Sequence, residues 1–140
     1  MLLTVDIGNT PVAVAGFSGE RPAFLRRLPA GREEGPRDWA AALRTLLAGE
    51  GPFRGAALSS VVPALTGPVA DALACVTGGR VLTVGRDTPT GLPLGDYDGA
   101  ALGMDRVVDC VAALARYAPP LAVFDMGTAT TLSVVDREGV

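Results

Sequence analysis

Histidine is absent from this 140-residue chain. That removes imidazole general bases, Ser–His and Cys–His nucleophile pairs, and His-ligated zinc. Lysine is absent too, since all 12 basic residues are arginines. Without lysine there is no Walker A loop, whose lysine reaches the phosphates, and no Schiff-base chemistry. Cysteine is scarce: Cys75 and Cys110 lie far apart, form no CxxC pair, and are expected to be buried, reduced thiols. No apolar run approaches the ~18 residues that a membrane span needs, so no membrane association is expected. No basic segment precedes the first apolar run, and Asp6 interrupts that run. A secretory signal is therefore not expected, and a cytoplasmic location is. There is no excess of positive charge either, the formal net charge being −3, so no nucleic-acid partner is expected.

What is present belongs to a folded chain. Hydrophobic residues make up 49% and charged residues 19%, and the length suffices for one ordinary domain with a core. Apolar runs at 2–5 and 12–17 flank Gly8-Asn9-Thr10-Pro11, which predicts a β-hairpin. A third strand is expected over 23–28. The spacing of Trp39, Leu43, Leu46 and Leu47 predicts a helix over 37–48. A strand over 56–62 follows, then a helix over 68–76 with Pro68 in its first turn, and a strand over 81–84. Residues 86–99 are rich in Pro, Gly and Asp and read as an ordered surface loop. A helix over 102–117 turns Val107, Val108, Val111, Ala112 and Leu114 to the core and is stopped by Pro119-Pro120. Strands at 121–124 and 131–135 close the chain.

The final hairpin repeats the first. Asp6 and Asp125, and likewise Gly8 and Gly127, stand 119 residues apart in matching contexts: an apolar strand, Asp, one residue, Gly, then small polar residues. At such a turn the carboxylate projects from the sheet edge, and glycine lets backbone approach a ligand. Backbone N–H groups in turns of this kind form anion-binding nests. Asn9 and Thr10 add neutral donors. These parts suit phosphate oxygens with a hydrated Mg²⁺ beside them, and none requires lysine. A single copy is equally an ordinary hairpin turn. Two copies in matching strand contexts favour a ligand, such as the β- and γ-phosphates of ATP held from two sides. One hairpin is not a domain. The repeat therefore predicts a first domain over 1–118 and the first hairpin of a second, incomplete one over 119–140. The remainder is expected from a longer gene product or another chain.

A third motif, Gly103-Met104-Asp105-Arg106, opens the long helix. An acid in the first turn is favoured by the helix dipole alone. In a chain without His or Lys, however, a carboxylate is also the natural group to orient or deprotonate a substrate hydroxyl. Arg106 beside it suits a carboxylate or phosphate.

Taken in order, these segments resemble the type III pantothenate kinase family. Asp6-Ile7-Gly8-Asn9-Thr10 is similar to its first phosphate motif, and Ser59-Ser60-Val61-Val62-Pro63 to an internal segment. Thr90-Gly91-Leu92-Pro93, Tyr97 and Gly103-Met104-Asp105-Arg106 resemble its substrate loop and signature. Asp125-Met126-Gly127-Thr128-Ala129-Thr130-Thr131 resembles its second phosphate motif. The resemblance implies an α/β, actin-like fold of two ribonuclease H-like domains, with a mixed β-sheet, flanking helices and ATP between the domains. It implies phosphoryl transfer from ATP to the 4′-hydroxyl of pantothenate, the first step of coenzyme A biosynthesis. Mg²⁺ and a monovalent cation, K⁺ or NH₄⁺, would be cofactors of a homodimer. On this chain it implies Asp105 as the catalytic base, with Tyr97, Gly103, Met104 and Arg106 binding substrate. Asp6, Gly8, Asn9, Thr10, Gly127 and Thr128 would serve ATP and its phosphates, with Asp6 and Asp125 at the metal and cation sites. Two features depart from the family pattern. Pro11 removes a backbone donor from the first loop, and family members are roughly twice as long. A homodimer, or a hetero-oligomer with a chain supplying the missing domain, is therefore expected. A kinase of another small hydroxylated substrate, and a non-catalytic nucleotide-binding subunit, are the alternatives.

Overall fold

The computed structural model describes residues 1–29, 35–95, 102–127 and 129–140. It divides into two compact units, Met1–Val84 and Gly85–Val140.

The first unit is a mixed five-stranded sheet with helices. Its elements are β1 (Leu2–Ile7), β2 (Pro11–Ser18), β3 (Arg21–Pro29), α1 (Pro36–Leu46), β4 (Gly55–Ser60), α2 (Pro63–Thr77) and β5 (Arg80–Thr83). The strand order is β3-β2-β1-β4-β5, which puts β1 at the centre. β1 runs antiparallel to β2 and parallel to β4. The period-2 alternation of β1 buries Leu3, Val5 and Ile7 on one face and leaves Leu2, Thr4 and Asp6 on the other. Val12, Val14, Ala56 and Leu58 join the buried face. Trp39, Leu43 and Leu47 from the α1 region and Leu65, Val69, Ala72 and Leu73 from α2 complete this core.

The predicted elements of this unit all form, with one displaced boundary. α2 begins at Pro63, not near Pro68, which lies inside the helix. Ser60 explains the earlier start. Its Oγ accepts the Val62 N–H at 3.1 Å and lies 2.9 Å from Thr66 Oγ1, so side chains organise the first turn. Pro63 takes the position where a missing N–H costs nothing. The helix ends at Gly78, whose φ of 62° is left-handed.

The second unit holds α3 (Met104–Leu114) and the antiparallel pair β6 (Leu121–Met126) and β7 (Thr130–Val135). α3 is shorter than the expected 102–117 because its last turn tightens, Arg116 N–H bonding to Ala113 O three residues back before the prolines are reached. Its buried residues are Val107 and Cys110, while Ala112, expected in the core, is exposed. The expectation of two buried thiols is half right: Cys110 is buried, Cys75 is exposed, and both are free. No helix among the described residues is long and apolar enough to cross a membrane.

Candidate functional site

The first Asp loop is fixed by the centre of the five-stranded sheet. Asp6 sits on the face of β1 opposite the core, in register with Ala13 of β2 and Ser59 of β4. One residue later the strand ends, and the Gly8 N–H donates to Pro11 O at 3.1 Å to close the turn. A Cβ at position 8 would stand 3.3 Å from that same oxygen, so only glycine fits without displacing it. The Gly8 amide is thus consumed within the turn. What glycine gives a ligand here is access, with Asn9 and Thr10 as the exposed polar residues of the turn. Pro11 lacks an N–H and serves as the turn's acceptor, so its departure from the family pattern leaves the hairpin intact.

Ser59 was singled out only as the start of the Ser-Ser-Val-Val-Pro segment, and the structure gives it a more specific place. It is 7% exposed, and its Oγ has no hydrogen-bond partner among the described residues. Its neighbour Ser60 points to the opposite face and is bonded at the start of α2. The signal was in the sequence: adjacent strand residues face opposite ways, so two serines in a row cannot share one role.

The second loop is built differently. Gly127 N–H donates to Ala129 O at 3.2 Å. Asp125 pairs with Thr131, six residues on, whereas Asp6 pairs with Ala13, seven residues on. The motif is repeated, but its strand register is shifted by one. Asp125 is exposed, and with Thr131 it lies on the ribbon face that also carries Ser133. Ser133 hydrogen-bonds Cys110 of α3. Asp125 therefore projects on the side of the ribbon that α3 covers. Burial pushes the Cys110 thiol above its ordinary range. The Ser133 hydrogen bond opposes that rise, and the charge of Asp109 adds to it.

The third motif caps α3. Gly103 is the N-cap and Asp105 lies in the first turn. Asp105 Oδ1 accepts the Arg106 N–H at 2.9 Å. A Cβ at Gly103 would overlap that oxygen, so the glycine makes room for the carboxylate. Met104 opens the helix beside them. Arg106 also lines a cavity of about 250 Å³ whose walls include Leu92, Leu94, Val107, Cys110 and Ser133. Arg106 is its one charged lining residue among those described. An apolar wall with a guanidinium suits a small ligand carrying a carboxylate. Of the expected site residues, Tyr97 and Thr128 lie outside the described residues.

Among the described residues, no group of three or more His, Cys, Asp or Glu side chains could hold a metal ion. Mg²⁺ does not require one, since it binds through one or two carboxylates, waters and substrate phosphates. Asp6 fits that donor set: a carboxylate on an exposed strand position, one strand from a buried hydroxyl that has no protein partner.

The chain carries a mixed-sheet α/β unit with one Asp-x-Gly turn, and a second unit with another Asp-x-Gly turn and an Asp-Arg helix start. Over residues 2–140 the chain matches the family model for type III pantothenate kinase, and it belongs to that family. It is 36% identical over 143 residues to the type III pantothenate kinase of Thermomicrobium roseum, covering 99% of this chain and 55% of that protein. The Roseiflexus castenholzii protein of the same name is 39% identical over 145 residues, covering 99% and 56%. That of Geobacter sulfurreducens is 35% identical over 143 residues, also covering 99% and 56%. The chain thus spans about half the length of the curated relatives it matches.

Proposed function

We propose that this chain carries the pantothenate-binding and first phosphate-binding parts of an ATP-dependent pantothenate kinase, which makes 4′-phosphopantothenate in the cytoplasm. The single observation that carries this reading is the start of α3, where the Asp105 carboxylate is held over Gly103 and Arg106 lines an apolar cavity. Asp105 accepts the proton of the attacking 4′-hydroxyl as that oxygen bonds to the γ-phosphorus of ATP and the bond from that phosphorus to ADP breaks. Arg106 pairs with the pantothenate carboxylate, and Tyr97, Gly103 and Met104 shape the pocket. Asp6, Gly8, Asn9, Thr10, Gly127 and Thr128 serve the phosphates. Asp6 and Asp125 hold Mg²⁺ and a monovalent cation, K⁺ or NH₄⁺. When bound, Mg²⁺ would supply neutralisation of the charge on the ATP phosphates.

The fold reading belongs to the same proposal: a ribonuclease H-like, actin-like domain over 1–118 and the first hairpin of a second domain from 119. The β6–β7 ribbon supports it. Phe124, Met126, Leu132 and Val134 share one face and are 60%, 79%, 51% and 66% exposed. An apolar sheet face of that kind calls for a cover. Further polypeptide, from a longer product or a second chain, supplies it in a homodimer or hetero-oligomer. The half-length match favours one second reading, a non-catalytic nucleotide-binding subunit of the same fold.

The deciding experiment is pantothenate-dependent ADP release with Mg²⁺ and K⁺ present. Turnover that vanishes in Asp105→Asn while ATP binding persists supports the kinase. ATP binding without turnover, indifferent to Asp105→Asn, supports the binding subunit. Turnover with other small alcohols but not with pantothenate moves the substrate.

A further inference from the structure

We propose that Ser59 is a positioning residue of the Asp6 site, its hydroxyl holding a water of the Mg²⁺ hydration shell against the Asp6 carboxylate. This rests on the assignment of the Asp6 loop to phosphate and cation. Asp6 and Ser59 are register partners on adjacent parallel strands, about 4.8 Å apart, and their side chains leave the sheet on the same face. The neighbouring positions on that face are small: Ala13 opposite Asp6, Ala15 two residues on, and Ala57 two residues before Ser59. No large side chain stands between the carboxylate and the Ser59 hydroxyl at these register positions.

Ser59 Oγ is buried and has no hydrogen-bond partner among the described residues. An orphaned buried hydroxyl is costly, and nearly all such groups in folded proteins have a partner. A water bound to Mg²⁺ is a strong donor. Ser59 Oγ accepts from it, and the Ser59 O–H donates to the Asp6 carboxylate, which satisfies both capacities of the hydroxyl. No bond is made or broken. The serine sets the orientation of the hydrated ion, as outer-shell partners of metal sites do.

The test uses the 140-residue chain and inorganic tripolyphosphate, which offers a phosphate chain without adenosine. Affinity is measured calorimetrically in Mg²⁺ and in EDTA, and Trp39 emission verifies the fold of each variant. The wild type is expected to bind more tightly with Mg²⁺. Ser59→Ala is expected to lose about tenfold in Mg²⁺ and less than about twofold in EDTA, and Ser59→Thr, which keeps the hydroxyl, to retain the Mg²⁺ gain. Asp6→Asn should abolish the gain, and adding Ser59→Ala to it should change nothing further. A folded Ser59→Ala with the full Mg²⁺ gain overturns the Ser59 role and leaves the loop assignment standing. So does a loss that is equal with and without the metal. A wild type indifferent to Mg²⁺, matched by Asp6→Asn, overturns the loop assignment itself and Ser59 with it.

Discussion

Two adjacent serines are expected to respond to alanine with opposite signs. Ser59 is buried with an unpartnered Oγ, and Ser60 Oγ accepts the Val62 N–H and contacts the Thr66 hydroxyl. In the ligand-free chain, Ser59→Ala removes a desolvated hydroxyl that returns nothing to the fold. The penalty for such a group is about 1–3 kcal/mol, and some is given back as lost contact, so a gain of about 1 kcal/mol is expected. For a chain of this length that raises Tm by about 3–5 °C. Ser60→Ala leaves the Val62 amide without its side-chain acceptor and the Thr66 hydroxyl with only Val62 O at the start of α2, costing about 1–2 kcal/mol. Tm should then fall by about 4–8 °C. The assay is thermal unfolding in EDTA without nucleotide, followed by the emission of Trp39. That side chain is 1% exposed, is the chain's single tryptophan, and reports on the first unit. Changes of the same sign in both variants would refute the reasoning. Loss of stability in Ser59→Ala would show that its hydroxyl already has a partner in the free protein.

Other expectations follow from the same geometry. Trp39→Ala, at the centre of the core, should cost about 3–5 kcal/mol in denaturant unfolding of the first unit. Gly103→Ala has a φ of −64° that alanine adopts freely, so stability should hold within about 1 kcal/mol. The new Cβ must nevertheless displace the Asp105 carboxylate, and pantothenate-dependent turnover should drop together with the loss of the Oδ1 contact to the Arg106 amide. Cys110, buried and with its thiol pushed up, should react with iodoacetamide far more slowly than exposed Cys75, as peptide mapping after alkylation would show. Because the folded Cys110 pKa is raised, its neutral form is favoured by folding. Stability linked to it is complete below the ordinary thiol range and is lost as pH rises through the raised value, measurable by denaturant unfolding across alkaline pH.

The first unit was legible because its signals are local and redundant. The apolar run ending at Asp6 marked β1, glycine and asparagine marked the first turn, and the helical spacing of Trp39 and Leu43 marked α1. The start of α2 was misplaced because Pro68 looked like a first-turn proline, while the true start depends on side-chain bonds from Ser60 that no propensity encodes. Cys75 was expected inside because free cysteines are commonly buried, but its position on α2 faces outward beside Arg44, whose Nη2 lies 3.0 Å from Sγ. The Asp-x-Gly and Gly-Met-Asp-Arg motifs were visible as strings. The orphaned state of Ser59 was not, because it arises from strand register between segments more than fifty residues apart in sequence.

The register difference between the two Asp loops bears on how each can work. Asp6 lies on a strand with hydrogen-bonded neighbours on both sides, β2 and β4. Its backbone is fixed from two directions, and β4 brings Ser59 alongside it. Asp125 lies on β6, which among the described residues has β7 as its one neighbour. A two-stranded ribbon is marginal by itself, so the position of Asp125 is set by one register and by the packing of α3 on one face. Repetition of the motif therefore does not mean repetition of preorganisation. The carboxylate held from both sides can orient a small, strictly octahedral ion, which tolerates little positional error. The carboxylate on the ribbon can follow a moving or more loosely held charge. Substitutions around β4 should therefore disturb the Asp6 loop less through local fraying, and more through lost register, than equivalent substitutions around β7 disturb the Asp125 loop.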